Sequence, residues 1–147
     1  MTEHRYSHEG SCRCGSLRIH FHCDSALEAL RARSCQCEFC LPRGASYVSD
    51  TTGRLEVRVR DRRLLYAHVF GTGTADFMHC ARCNHLVFVR SRIDGRNYAL
   101  VVVQALNAGA ELAGTGPVDY HCESLPQRLS RRAASWIPDL EVVEDDA

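Results

Sequence analysis

Ser11-Cys12-Arg13-Cys14-Gly15-Ser16-Leu17-Arg18-Ile19-His20-Phe21 runs from a close pair of thiols straight into a period-two alternation. Leu17, Ile19 and Phe21 alternate with Arg18, His20 and His22, the pattern of a strand with one face buried and the other in water. The union of thiols and strand recurs further on, where Cys80-Ala81-Arg82-Cys83 leads into the apolar stretch Leu86 to Val89. Between the two pairs lies a triplet, Cys35-Gln36-Cys37-Glu38-Phe39-Cys40. Seven of the nine cysteines therefore fall into three tight clusters.

Two thiols plus two complete a closed tetrahedral zinc site, whereas three thiols leave one position of a zinc ion open. The arithmetic suggests one metal that holds the fold and another that does chemistry. Spacing also permits a different pairing, Cys37/Cys40 with Cys80/Cys83, which would strand Cys35 and leave Cys12 and Cys14 without partners. Each pair encloses an arginine, Arg13 or Arg82, read either as an offset to thiolate charge or as a solvated turn residue. The two pairs are about seventy residues apart, so joining them closes a long loop at a cost of a few kcal/mol. A structural zinc contributes about 10–16 kcal/mol, against about 5–15 for the stability of a whole domain.

Further strands are expected from Leu55, Val57 and Val59 alternating with charged neighbours, and from Leu64 to Phe70 after an Asp61-Arg62-Arg63 turn. Tyr98 to Val103 reads as a buried strand, and Asp94-Gly95 before it as a hairpin turn. Helix is expected only over Ala26 to Arg33 and over Gln127 to Trp136, the latter starting near Pro126. Ala105 to Pro117 reads as an exposed connection, and the acidic residues 141–147 as a frayed, solvated tail. The expectation is a mainly β fold of antiparallel sheets stapled by cysteine clusters, with minor helical content, in one domain over residues 1–147.

At 147 residues and 45% hydrophobic composition the chain can bury a modest core. Its formal charge of zero supplies no field toward nucleic acid or a membrane, so neither is expected as a partner. All 18 basic residues are arginine, a compositional bias rather than a functional signal. Met1 to Gly10 lacks the apolar core of a secretory signal, and Tyr98 to Val103 is too short to cross a bilayer. A cytoplasmic location is expected, where thiols stay reduced and clustered cysteines bind metal rather than form disulfides. An iron–sulfur cluster would need four converging cysteines, which spacing alone does not rule out.

Taken in order, Gly10-Ser-Cys-Arg-Cys-Gly15 entering a strand, Cys35-x-Cys-x-x-Cys40 with Arg43-Gly44 after it, and Cys80-x-x-Cys83 resemble the glutathione-dependent formaldehyde-activating enzyme family, which includes centromere protein V. Pro117-Val-Asp-Tyr-His121 and Trp136-Ile137 extend the resemblance over nearly the whole chain. It implies a mostly antiparallel β fold with two zinc ions per chain. One would be a structural zinc on Cys12, Cys14, Cys80 and Cys83. The other would be a catalytic zinc on Cys35, Cys37 and Cys40 whose fourth position takes water or a substrate thiol. The implied activity is that of a carbon–sulfur lyase joining glutathione to formaldehyde as S-hydroxymethylglutathione. His79 and Asn84 stand where the family has phenylalanine and glycine, Asn84 being able to adopt the left-handed backbone that glycine would supply. Glu38, Leu41 and Pro42 also depart from the family pattern, at positions where substrate specificity is expected to be decided.

Three thiolates weaken zinc as an activator of hydrolytic water and favour thiol chemistry, with a small-molecule thiol as substrate. A zinc deaminase needs His-x-Glu followed by Pro-Cys-x-x-Cys, and His121-Cys122-Glu123 has no such sequel. Arg43 is a candidate for a substrate carboxylate, and Tyr47, His79, His85 and His121 are candidate proton donors, although each also reads as a surface or packing residue. His20 and His22 read as the polar face of a strand, Cys23 and Cys122 as small packed side chains, and Trp136 as core. The reading from another class is a non-catalytic zinc-stabilised binding module, and either is compatible with a homodimer.

Overall fold

The two clearest alternations become the centre of one sheet in the computed structural model, which describes residues 4–35, 40–69, 73–109, 114–118, 120 and 122–145. β2 (Leu17–Cys23) and β5 (Arg54–Val59) pair antiparallel, with Ile19 opposite Val57 and Phe21 opposite Leu55. The inward residues Leu17, Ile19, Phe21, Leu55, Val57 and Val59 are fully buried. β1 (Tyr6–Ser11) flanks β2, and β11 (Leu140–Glu144) runs parallel to β5, giving the order β1-β2-β5-β11.

A second sheet of seven strands faces the first. Its members are β3 (Arg31–Cys35), β4 (Ser46–Val48), β6 (Leu65–His68), β7 (Asp76–Cys80), β8 (Leu86–Ile93), β9 (Arg96–Val102) and β10 (Gly114–Val118). Their order is β10-β3-β4-β9-β8-β7-β6, antiparallel except for β10 beside β3. The expected hairpin between β8 and β9 is present. Asp94 and Gly95 have φ of 50° and 80°, the left-handed pair that suits a two-residue turn between twisted strands. Phe88, Val48 and Val101 join Phe21, Ile19 and Val57 in one continuous core, so the fold is mainly β as expected.

Gly10 fastens the edge of the smaller sheet to the larger one. Its backbone bridges Leu106, and Asn107 N donates to Glu9 O at 3.0 Å, so β1 lies against the 3-10 turn Val103–Ala105 that follows β9. A Cβ on Gly10 would stand 2.1 Å from the Ala105 carbonyl oxygen. Gly10→Ala is expected to destabilise the fold by about 2 kcal/mol or more, read as a lower urea midpoint with unchanged slope. An unshifted midpoint would mean that β1 does not pack on this turn.

Three local expectations are corrected. Ala26 to Arg33 is not a helix. A single 3-10 turn, Leu27–Ala29, leads into β3, where buried Ala32 alternates with exposed Arg31. Pairing to β4 on one side and β10 on the other overrides the local helix propensity. The stretch Ala105 to Pro117 is not simply an exposed connection. Ala105 and Leu106 are buried, and Gly114–Val118 is an edge strand, where the missing amide of Pro117 is tolerated. Residues 141–147 are not wholly a frayed tail, because β11 reaches Glu144 and packs Leu140 and Val142 against the core.

The acidic run is matched to the arginine-rich outer face of the smaller sheet. Arg54 pairs with Glu141 at 2.7 Å, Arg62 with Glu144 at 3.8 Å, and Arg18 with Asp145. Exposed pairs of this kind contribute about 0–1 kcal/mol each, so they add little to the stability of β11.

Elsewhere expectation and structure agree closely. The Asp61 turn is a 3-10 turn, Arg62–Leu64, in which the Asp61 carboxylate accepts from Arg63 N, and β6 ends at His68, Phe70 lying outside the described residues. Helix α1 is one turn, Cys40–Arg43, and helix α2 spans Leu125–Ser135. Ser124 and Gln127 form a reciprocal capping box at the start of α2, with Pro126 in its first turn. No described helix is long and apolar enough to cross a membrane.

His20 and His22 occupy the outer face of β2 as expected, half-buried beside Arg54 and Glu56. Burial and then the Arg54 charge push the His22 imidazole below its ordinary value of 6.5. The unfolded chain therefore binds a proton at this residue before the native one does, and stability falls as pH drops below 6.5. Urea midpoints measured on both sides of that pH should show the decline, and His22→Gln should flatten part of it. A His22→Gln variant with the full wild-type slope would contradict this assignment.

Candidate metal centre

The turn that enters β2 and the turn that leaves β7 are built alike. Cys12 N donates to Leu17 O and Gly15 N to Cys12 O, while Cys80 N donates to His85 O and Asn84 N to Cys80 O. Each loop places a left-handed residue directly after its second thiol, Gly15 at φ 76° and Asn84 at φ 58°. Asparagine does the work of glycine there, as its sequence position suggests. The two knuckles face one another across the interface between the sheets.

The sulfurs of Cys12, Cys14, Cys80 and Cys83 all lie within 4.8 Å of one another, and no other group of three or more such ligands forms among the described residues. Cys12 and Cys14 Sγ are 3.6 Å apart, as are Cys14 and Cys80 Sγ, the last two separated by 66 positions in the chain. A tetrahedron of sulfurs about 2.3 Å from a central zinc has edges of about 3.8 Å. The donor set and its spacing fit a metal ion. They also pair Cys80 and Cys83 with Cys12 and Cys14.

Backbone amides surround the sulfurs, as thiolate ligands require. Leu17 N donates to Cys12 Sγ at 3.3 Å, and the Ser16 hydroxyl lies 3.2 Å from Cys14 Sγ. That hydroxyl, and then the Ser16 amide, hold the Cys14 thiol down to about 6. Burial pushes Cys80 up to about 12 despite amides from Cys83 and Arg82. Burial also works against Cys83, but the amides of Cys14 and His85 outweigh it and lower that thiol. One sulfur is thus ready to ionise and its buried neighbour resists, a conflict that a central cation relieves. Arg13 and Arg82 are exposed at the tips of the two loops, as solvated turn residues.

Cys35 and Cys40, the described members of the triple cluster, stand outside this four-thiol group. Cys35 is the last residue of β3 and half-buried, and Cys40 opens α1 and is 1% exposed. Gly44, at φ 62°, ends α1 and turns the chain into β4. Cys37 and Glu38 lie outside the described residues, as do His121 and the side chains of Leu41 and Arg43. Tyr47, one of the candidate proton donors, is buried with its hydroxyl 2.9 Å from Cys40 Sγ. His79 is buried too, its Nδ1 2.9 Å from Phe77 O, and its ring meets Tyr66 and His68 edge-on. His85 is half-buried beside the four-thiol centre, and burial followed by the Arg13 charge lowers its pKa.

Cys23 and Trp136 are core residues as expected, but Cys122 is exposed. It belongs to the short link between β10 and α2. Two contributors escaped the sequence reading. Ser16 sits in plain view beside Cys14, yet only its geometry shows what it does. Arg132 is 8% exposed, and burial lowers its pKa to about 10. It docks α2 on β8 through Thr74 and Ser91, with its guanidinium 5.1 Å from the Trp136 ring centre.

The molecule is thus a two-sheet β protein with a four-thiol site able to hold a metal ion. Comparison places it beside a crystal structure of a Rhodobacter sphaeroides protein solved in a structural-genomics programme, with 28% identity and a TM-score of 0.54. The match covers 74% of this chain and 99% of the other. No protein-family profile matches the chain, and neither does any curated protein.

Proposed function

We propose that this chain is a zinc enzyme of small thiols, one that joins a thiol such as glutathione to formaldehyde, as in the family its cysteine order resembles. The observation that carries the reading is the division of the thiols. Cys80 and Cys83 are taken up with Cys12 and Cys14, which leaves Cys35, Cys37 and Cys40 as a separate set of three. A second zinc, held by those three, would supply an acceptor for a substrate thiolate.

The reaction needs little else from the chain. The substrate sulfur attacks the carbonyl carbon, a carbon–sulfur bond forms, the π electrons move to oxygen, and the proton lost by the thiol ends there. Tyr47 Oη, held against Cys40 in a buried setting, keeps bulk water from that sulfur and fixes its direction. The competing view, a zinc-stabilised binding module, would have the triple site closed by a fourth protein ligand.

Isotope-labelled formaldehyde and glutathione, followed by NMR, distinguish the two. Adduct formation should accelerate in proportion to added protein, and glutathione should perturb the spectrum of the cobalt-substituted protein. Absence of both effects would exclude the enzyme.

A further inference from the structure

His20-Phe21-His22 sends two imidazoles out of one face of β2, because alternate residues of a strand share a side. The rings stand nearly parallel, their planes 13° apart and their centres 6.3 Å apart. Strand pairing sets a carboxylate on either side of His20, Glu9 on β1 and Glu56 on β5. Glu9 Oε1 lies 3.4 Å from His20 Nδ1, and the Glu9 side chain is 64% exposed. Glu56 is held by Arg58 at 2.8 Å, whereas among the described residues no arginine pairs with Glu9. The guanidiniums of this face are matched by acids, Arg18 by Asp145, Arg54 by Asp139 and Glu141, and Arg58 by Glu56. Burial and then the Arg54 charge keep His22 neutral near pH 7, the form in which an imidazole coordinates.

We propose that His20, His22 and Glu9 form a further metal site, on the outer face of the smaller sheet, for a late first-row divalent ion such as Ni(II), Cu(II) or Zn(II). Two imidazole nitrogens and one carboxylate oxygen suit that class, whereas Mg(II) and Ca(II) take oxygen ligands. The three donors are not gathered within 4.8 Å of one another. The gap lies at His22, since His20 and Glu9 already stand 3.4 Å apart. An arriving ion closes it by turning the half-buried His22 ring toward its neighbour, side-chain rotation at the surface being fast. Solvent reaches the face directly, so no entry path has to open. The site stands apart from the thiol clusters and from the chemistry proposed for them.

The test uses Ni(II), which is paramagnetic and does not oxidise thiols, titrated into the zinc-loaded, 15N-labelled full chain. Amide resonances of residues 7–9, 20–22 and 55–57 should broaden first, and Mg(II) at the same concentration should leave them unchanged. Affinity read by calorimetry should fall about tenfold or more in His20→Gln and in His22→Gln, because each loses one arm of a chelate. Glu9→Gln, at an exposed position, should weaken binding as well, and it carries the test should a histidine variant fail to fold. The same spectra report whether each variant is folded. Broadening scattered over other histidines or centred on the thiols, or an affinity unchanged in the folded variants, would mean an adventitious ion only and overturn the proposal.

Discussion

Replacing Cys80 with serine is expected to leave the chain unfolded at room temperature. Cys80 is fully buried at the end of β7, and its sulfur meets that of Cys14 from the opposite sheet. A serine there would surrender a metal ligand and bury a hydroxyl among three thiols. A structural zinc contributes about 10–16 kcal/mol, and the margin of a domain this size is about 5–15, so losing the metal removes the whole margin. Circular dichroism should show loss of the cooperative urea transition, and a strong chelator should do the same to wild type. A Cys80→Ser protein that still unfolds cooperatively near the wild-type midpoint would refute the stabilising role of this centre.

Cys37→Ser is expected to do the opposite. The fold should stand, since the two knuckles are built from Cys12, Cys14, Cys80 and Cys83, while the proposed second zinc and the adduct-forming activity would be lost. Outer-shell changes around catalytic metals already cost about 10–100-fold, so loss of a direct ligand should exceed about 100-fold. Thermal melting, metal content and the formaldehyde–glutathione rate should be measured on the same preparation. Retained activity with one zinc fewer would move the chemistry away from the triple cluster.

Parts of the molecule whose physics is local were legible from the chain alone. Leu17, Ile19 and Phe21 with Leu55, Val57 and Val59 announce their strands by alternation, and Asp94-Gly95 announces its turn by what it allows φ to be. The paired thiols were legible because four-coordination leaves few ways to divide seven cysteines. β10 and β11 were not. Both are parallel neighbours of distant strands, and neither their glycines nor their acids carry a local sign of that pairing. The acidic run looks solvated until Arg18, Arg54 and Arg62 are known to lie beneath it. Ala26 to Arg33 looks helical until two flanking strands claim Arg31–Cys35. In the site, residue types were readable and company was not: Tyr47 was a candidate by its chemistry, but its hold on Cys40 depends on α1 folding back beside β4.

The most direct test of the division of labour among the thiols is a metal count by native mass spectrometry on folded protein. Wild type should carry two zinc ions per chain, and Cys37→Ser one. Folded wild type carrying no metal, or a Cys37→Ser chain that loses its metal and its fold together, would contradict the account.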